Sequence, residues 1–187
     1  MKNLSIIIIF IIMLSVPIQS YAADFPAKEV YEAFSKSIVV IWSSGREGGG
    51  MIGAGSIISR DGLIITNAHV VIDKSTNETF PHIGVYLKPD KLTGITKNDL
   101  SRGIDAQILH YSRELDLALL KVKDLPLEIN VIELADPSEI KIGEEVVAIG
   151  HPEQGGFWSL TYGRISGELS NYQGIPGKDM YQTDTSV

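Results

Sequence analysis

Apolar residues along this chain come in short runs, most of them alternating with polar or small residues and broken by glycine, proline, asparagine and aspartate. That spacing predicts strands and turns. Residues 37–42 (SIVVIW) set Val39 and Ile41 against Val40 and Trp42 as a first strand. Residues 51–59 form a second, with glycines that permit a bulge or close backbone approach. Asp61-Gly62 is a hairpin turn suited to positive φ, and residues 63–66 (LIIT) are a third strand. Residues 73–78 are polar and loop-like, residues 83–87 a fourth strand, and residues 88–103 a charged stretch without a period. Residues 104–111 and 117–122 complete six strands, enough for one closed Greek-key barrel. After a linker at 125–137, residues 140–150, 158–165 and 180–183 open a second set. One segment breaks the pattern: in residues 27–35 (AKEVYEAFS), Val30, Tyr31 and Phe34 fall near one face of a short helix.

The first residues are different again. Lys2 precedes a dense apolar run at 4–16, followed by Ser20-Tyr21-Ala22-Ala23. This is the layout of an export signal, with cleavage expected after Ala22. The run is short for a membrane span, which takes about 20 residues, but an uncleaved leader would anchor the protein. The net charge of −7 argues against a nucleic-acid surface, and the lack of cysteine removes both disulfides and a thiol nucleophile. No His/Cys/Asp cluster has metal-ligand spacing. Gly45 to Gly50 is glycine-rich but has no helix and lysine behind it, so a phosphate-binding loop does not fit.

The segment that carries chemistry is Thr66-Asn67-Ala68-His69-Val70-Val71, an apolar strand running straight into a histidine. Downstream, Asp116-Leu117-Ala118-Leu119-Leu120-Lys121-Val122 places an acid at the mouth of another apolar strand. Leu115, Leu117, Leu119 and Leu120 around Asp116 predict a buried carboxylate, which needs a partner such as an imidazole N–H. His151 and Asp105 compete for the same roles without that setting.

Together with Gly53 to Ile58 upstream and Ile140 to Pro152 downstream, these segments resemble the trypsin-like serine proteases of the chymotrypsin fold, and within them the HtrA/Deg branch. The resemblance runs from about Ile38 to the end of the chain. It implies an all-β fold of two six-stranded Greek-key barrels, the second incomplete here. The expected division is a signal peptide at 1–22, a helical or linker segment at 23–36, a first barrel at 37–135 and part of a second at 136–187. His69 would be the general base and Asp116 its orienting acid. In the family a serine follows a segment like Tyr181-Gln182-Thr183-Asp184 within a dozen residues, so the nucleophile is expected beyond Val187. Ser186 lacks the flanking glycines that free two amides for an oxyanion. Residues 88–103 read as an insertion relative to the family. The resemblance implies no cofactor, unfolded or misfolded polypeptide substrates, trimers, and a periplasmic or secreted location. Two readings stay open beside it: a non-catalytic exported binding or chaperone-like protein on a degenerate protease barrel, and an exported β-barrel module in which His69 and Asp116 are structural.

Overall fold

The computed structural model describes residues 26–46, 49–152 and 156–185. The expected signal segment, its cleavage site at Ala22 and Ser186 lie outside the described residues. Helix α1 (Ala27–Phe34) leads into β1 (Ile38–Ser44), β2 (Gly50–Ile57) and β3 (Leu63–Thr66), then α2 (Ala68–Val71). The chain continues through β4 (Ile72–Asp73), β5 (Glu78–Thr79), β6 (His82–Tyr86), α3 (Thr96–Asp99), β7 (Gly103–Asp105), β8 (Gln107–Ser112) and β9 (Leu117–Lys121). It ends in β10 (Glu145–Gly150), β11 (Ser159–Leu169) and β12 (Met180–Thr183).

The protein is mostly β. Seven strands form one antiparallel sheet in the order β7-β6-β1-β2-β3-β9-β8. Its two outer members, β7 and β8, are separated in sequence by Ala106 alone. The sheet therefore curls until one nearly continuous stretch of chain pairs with β6 at one end and β9 at the other. At the corner, the Ala106 amide donates to Ile83 O at 2.9 Å. This replaces the single uninterrupted strand expected at 104–111. A closed edge leaves fewer unpaired N–H and C=O groups to solvent, which favours the break over a straight strand. The core inside the curl is Val39, Ile41, Ile57, Ile64, Val71, Val85, Leu120 and Val122. Each such side chain contributes about 1.5–3 kcal/mol when fully removed from water.

Strand β1 is buried on both faces. Val39 and Ile41 point into the curled sheet, whereas Ile38 and Val40 pack with Leu100 and Trp158 on the other side. Leu100 comes from the end of α3, and Trp158 from the turn that joins β10 to β11 in the three-stranded sheet β10-β11-β12, whose Ile149 packs against the same cluster. Trp158 has φ +56° and is 2% exposed. It is tied down from three sides: its Nε1–H donates to Ile38 O at 2.6 Å, its amide donates to His151 Nδ1 at 3.0 Å, and its carbonyl accepts from the Tyr31 hydroxyl at 2.8 Å. Helix α1, β1 and the second sheet thus meet at one tryptophan.

Two stretches are more ordered than the sequence suggests. Residues 73–78 are bounded by the β4–β5 ladder, and the Asp73 carboxylate takes both the amide (2.8 Å) and hydroxyl (2.6 Å) of Ser75 to hold the turn. Residues 88–103 contain α3, and the Asp99 carboxylate, 5% exposed, accepts from Thr93 N and Oγ1 at 2.8 Å and from Gly94 N at 2.9 Å. The Thr93 amide leads the contacts that hold this carboxyl below its ordinary range. Strand β11 also runs four residues beyond the expected end at 165.

Candidate active site

Strand β3 ends at Thr66, whose hydroxyl donates to Ala54 O at 2.7 Å and fixes the exit from the sheet. The chain then makes the single helical turn α2. Ala68, Val70 and Val71 are buried, and His69 alone points outward. A glycine lets this turn lie flat on the sheet, since a Cβ on Gly53 would sit 2.4 Å from Val70 Cγ2. The second half of the site comes from the turn between β8 and β9. Asp116 takes a left-handed conformation there, φ +56°, which aspartate tolerates better than most residues. The β3–β9 register sets Thr66 opposite Ala118, so the exit of one strand faces the entrance of the other.

The two side chains meet. His69 Nδ1 lies 2.8 Å from Asp116 Oδ2, and the His69 amide donates to Asp116 Oδ1 at 2.9 Å. Because a carboxylate only accepts, the ring proton sits on Nδ1 and the Nε2 lone pair faces outward. The Asn67 amide donates to Asp116 O at 3.0 Å and to Oδ2 at 3.3 Å. Partial burial pushes the Asp116 carboxyl up, but the hydrogen bonds from the His69 ring and amide, with the positive charge of Lys178, outweigh it. The net effect holds the group below the ordinary aspartate value, ionised at neutral pH.

Asp116 is less buried than its leucine-rich surroundings suggest: its side chain is 35% exposed and that of His69 46%. The reason is the alternation of β9, in which Ala118 and Leu120 face inward while Leu115 and Leu117 lie outside at 38% and 42% exposure. Leucines adjacent in sequence do not all cover the acid. Lys178, from the loop before β12, reaches across to donate to Glu114 O at 2.9 Å and adds positive charge next to the turn.

The competing residues lie elsewhere. His151 spends both ring nitrogens on the backbone, Nε2–H donating to Val39 O at 3.0 Å and Nδ1 accepting from Trp158. Burial holds its imidazole below the ordinary value, partly countered by the Val39 carbonyl. Asp105 is exposed on β7 opposite Gly84. A cleft of about 290 Å³ opens beside the pair, lined by Ala54, Gly55, Thr66, Asn67, Leu117 and Ile149. The larger, apolar cavity of about 750 Å³ between Val30, Phe34, Val131 and Val147 includes neither His69 nor Asp116. Among the described residues no cluster of His, Cys, Asp and Glu could hold a metal ion. Asn67 and Lys178 join the site unannounced by the sequence pattern: an asparagine directly before a helical turn is the one signal for the first, and nothing local marks the second.

The chain is similar to known proteins in both sequence and fold. Residues 53–187 match the model of the trypsin-like peptidase domain. Serine protease HTRA1B of Danio rerio is 36% identical over 170 residues, covering 87% of this chain and 30% of that protein. Serine protease HTRA1 of Xenopus laevis is 38% identical over 143 residues, 72% of this chain and 26% of that protein. A DegP-like periplasmic serine endoprotease of Hahella chejuensis is 36% identical over 141 residues, 72% of this chain and 24% of that protein. The chain thus spans less than a third of the length of these curated relatives. Among solved structures, an HtrA-type protease AlgW with tripeptide superposes with a TM-score of 0.66 at 25% identity, over 86% of this chain and 46% of that one. The curled sheet, the second sheet beside it and the matched residues agree, and the chain belongs to the trypsin-like peptidase family, with HtrA/DegP serine proteases among its homologues.

Proposed function

We propose that this chain carries the base and orienting acid of an exported serine endopeptidase that acts on unfolded polypeptides. One observation supports the reading above the others: the Asp116 carboxylate holds His69 by its ring and its backbone amide at once, at 2.8 and 2.9 Å. That grip fixes the tautomer with Nε2 free to take a serine proton, return it to the leaving amine, and be stabilised by the carboxylate while charged. Asp116 orients and does not itself take the proton. The nucleophile in this reading is a serine presented to Nε2 from sequence other than the described residues. Export follows from the leader-like start and agrees with the periplasmic relatives. Among the described residues no helix is long and apolar enough to cross a membrane. In this reading the leader is cut after Ala22 and the protein assembles as a trimer; only a leader left uncut would anchor it to the membrane.

The test is casein hydrolysis by the gene product that includes the serine. His69→Ala should abolish turnover. Asp116→Asn should keep the fold and lower kcat by roughly 10⁴, the size seen in the template Ser-His-Asp enzyme, through the wrong tautomer. Asp105→Asn should stay within about tenfold of wild type. Full activity in His69→Ala would overturn the assignment of the base, and a folded but inert serine-bearing protein would favour a non-catalytic binding role.

A further inference from the structure

The asparagine next to the histidine is placed oddly for its type. Asn67 occupies the N-cap position of α2, where an asparagine side chain ordinarily accepts the amide of the second or third helical residue. Here it makes no capping bond. The amide of the second residue, His69, goes to Asp116 Oδ1 instead, at 2.9 Å. The acid from the β8–β9 turn does the capping, and Asn67 turns its Nδ2 the other way, onto that same acid. Both atoms it meets, the Asp116 carbonyl and Oδ2, are acceptors, so the amide orientation follows from the chemistry.

We propose that Asn67 is a positioning residue for the His69–Asp116 pair, its amide locking both the left-handed backbone and the carboxylate plane of Asp116. The role rests on the protease reading. Asp116 Oδ2 must stay in line with Nδ1–H while the imidazole gains and loses charge. A carboxylate held by the His69 contacts alone can rotate about its Cβ–Cγ bond, and with a left-handed backbone the turn can relax as well. The Asn67 amide opposes both movements, because it reaches the main-chain oxygen at 3.0 Å and the side-chain oxygen at 3.3 Å with one nitrogen. The arrangement needs a donor; a group of the same shape without one leaves two acceptors facing a third.

The experiment follows the His69 Nδ1–H proton by NMR in the histidine-labelled chain, which needs no turnover. Asn67→Ala removes the donor, and Asn67→Asp keeps the volume but replaces the donor with a carboxylate. Both should lose the slowly exchanging Nδ1–H signal while amides outside the two site turns keep their positions. In the active protein both should lower kcat by roughly 10- to 100-fold, the scale of a small misplacement at a reacting group, with KM unchanged. An unchanged Nδ1–H signal in Asn67→Asp would make Asn67 a packing residue and overturn the role while leaving the protease reading intact. Unfolding of both variants would assign Asn67 to the fold and overturn it too. Wild-type activity in His69→Ala would instead overturn the protease reading, and the positioning role with it.

Discussion

The His151 imidazole offers a measurable link between pH and the joint between the two sheets. Its Nε2–H donates to Val39 O and its Nδ1 accepts from the Trp158 amide, so only the neutral ring satisfies both partners. The Phe157 and Trp158 rings pack edge-on against it at 5.7 and 5.2 Å. From α1 the titratable group reaching this cluster is the Tyr31 phenol, raised by burial, with Lys88 over its ring at 5.6 Å; neither changes charge in mild acid. The folded pKa of His151 is lowered, so on acidification the unfolded chain takes up this proton first. Stability is therefore retained above about pH 6.5 and lost below it, with a slope of at most about 1.4 kcal/mol per pH unit, until the folded ring is protonated. Protonation turns Nδ1 into a donor facing the Trp158 donor, and an orphaned buried N–H costs about 1–3 kcal/mol, which bounds the total. The ring is partly exposed, so the lower end of that range is expected. His151→Gln keeps one donor and one acceptor but does not titrate. Urea midpoints for both proteins at about pH 7.5 and about pH 5.5 isolate the effect, because the other three histidines and all carboxylates are common to both. Wild type should lose about 1 kcal/mol more than His151→Gln on acidification. Equal losses would show that His151 is not held neutral by these two bonds.

Two more expectations follow from the packing. Gly53→Ala places a methyl 2.4 Å from Val70 Cγ2 and should destabilise the protein by about 1–3 kcal/mol, seen as a lower urea midpoint; an unchanged midpoint would mean that α2 does not rest on β2 as described. Amide exchange should be slowest in β1, β2, β3 and β9 and faster in β10–β12, since the described residues of 140–185 bury only Trp158 and Ile165 among large apolar side chains. Equal protection across both sheets would contradict that reading.

Strand β3 was legible to the residue because its apolar run is bounded by Asp61-Gly62 on one side and a polar break on the other. Helix α1 was legible from the spacing of Val30, Tyr31 and Phe34. The break at Ala106 was not, since a mixed polar and apolar run carries no mark of which neighbour each half pairs with; only curling of the sheet decides that. The β4–β5 ladder is too short for any period, and its turn is held by one aspartate carboxylate rather than by apolar residues. At the site, the pairing of His69 with Asp116 was legible through the resemblance to the trypsin-like proteases, because no local pattern marks β3 and β9 as neighbours. The exposure of Asp116 was not, because a count of nearby leucines ignores which face of β9 each one takes. Nor was the crossed arrangement in which Asp116 caps α2 and Asn67 holds Asp116, which depends on contacts between turns 49 residues apart.

The β3–β9 ladder has a consequence for the order of folding. Strands β1, β2 and β3 are joined by short turns and can pair while the chain is still growing, but β9 joins β3 only after the whole stretch carrying β4 to β8 has been made. Such distant pairings close late, because the entropy of the intervening loop is lost before the contacts form. His69 leaves β3 and Asp116 enters β9, so the carboxylate reaches the imidazole in the same event that closes this ladder. A partly folded chain has a histidine and an aspartate but no relay between them. The activity proposed for this family member is in that way withheld from its own unfolded state, the state in which neighbouring chains would be its nearest substrates.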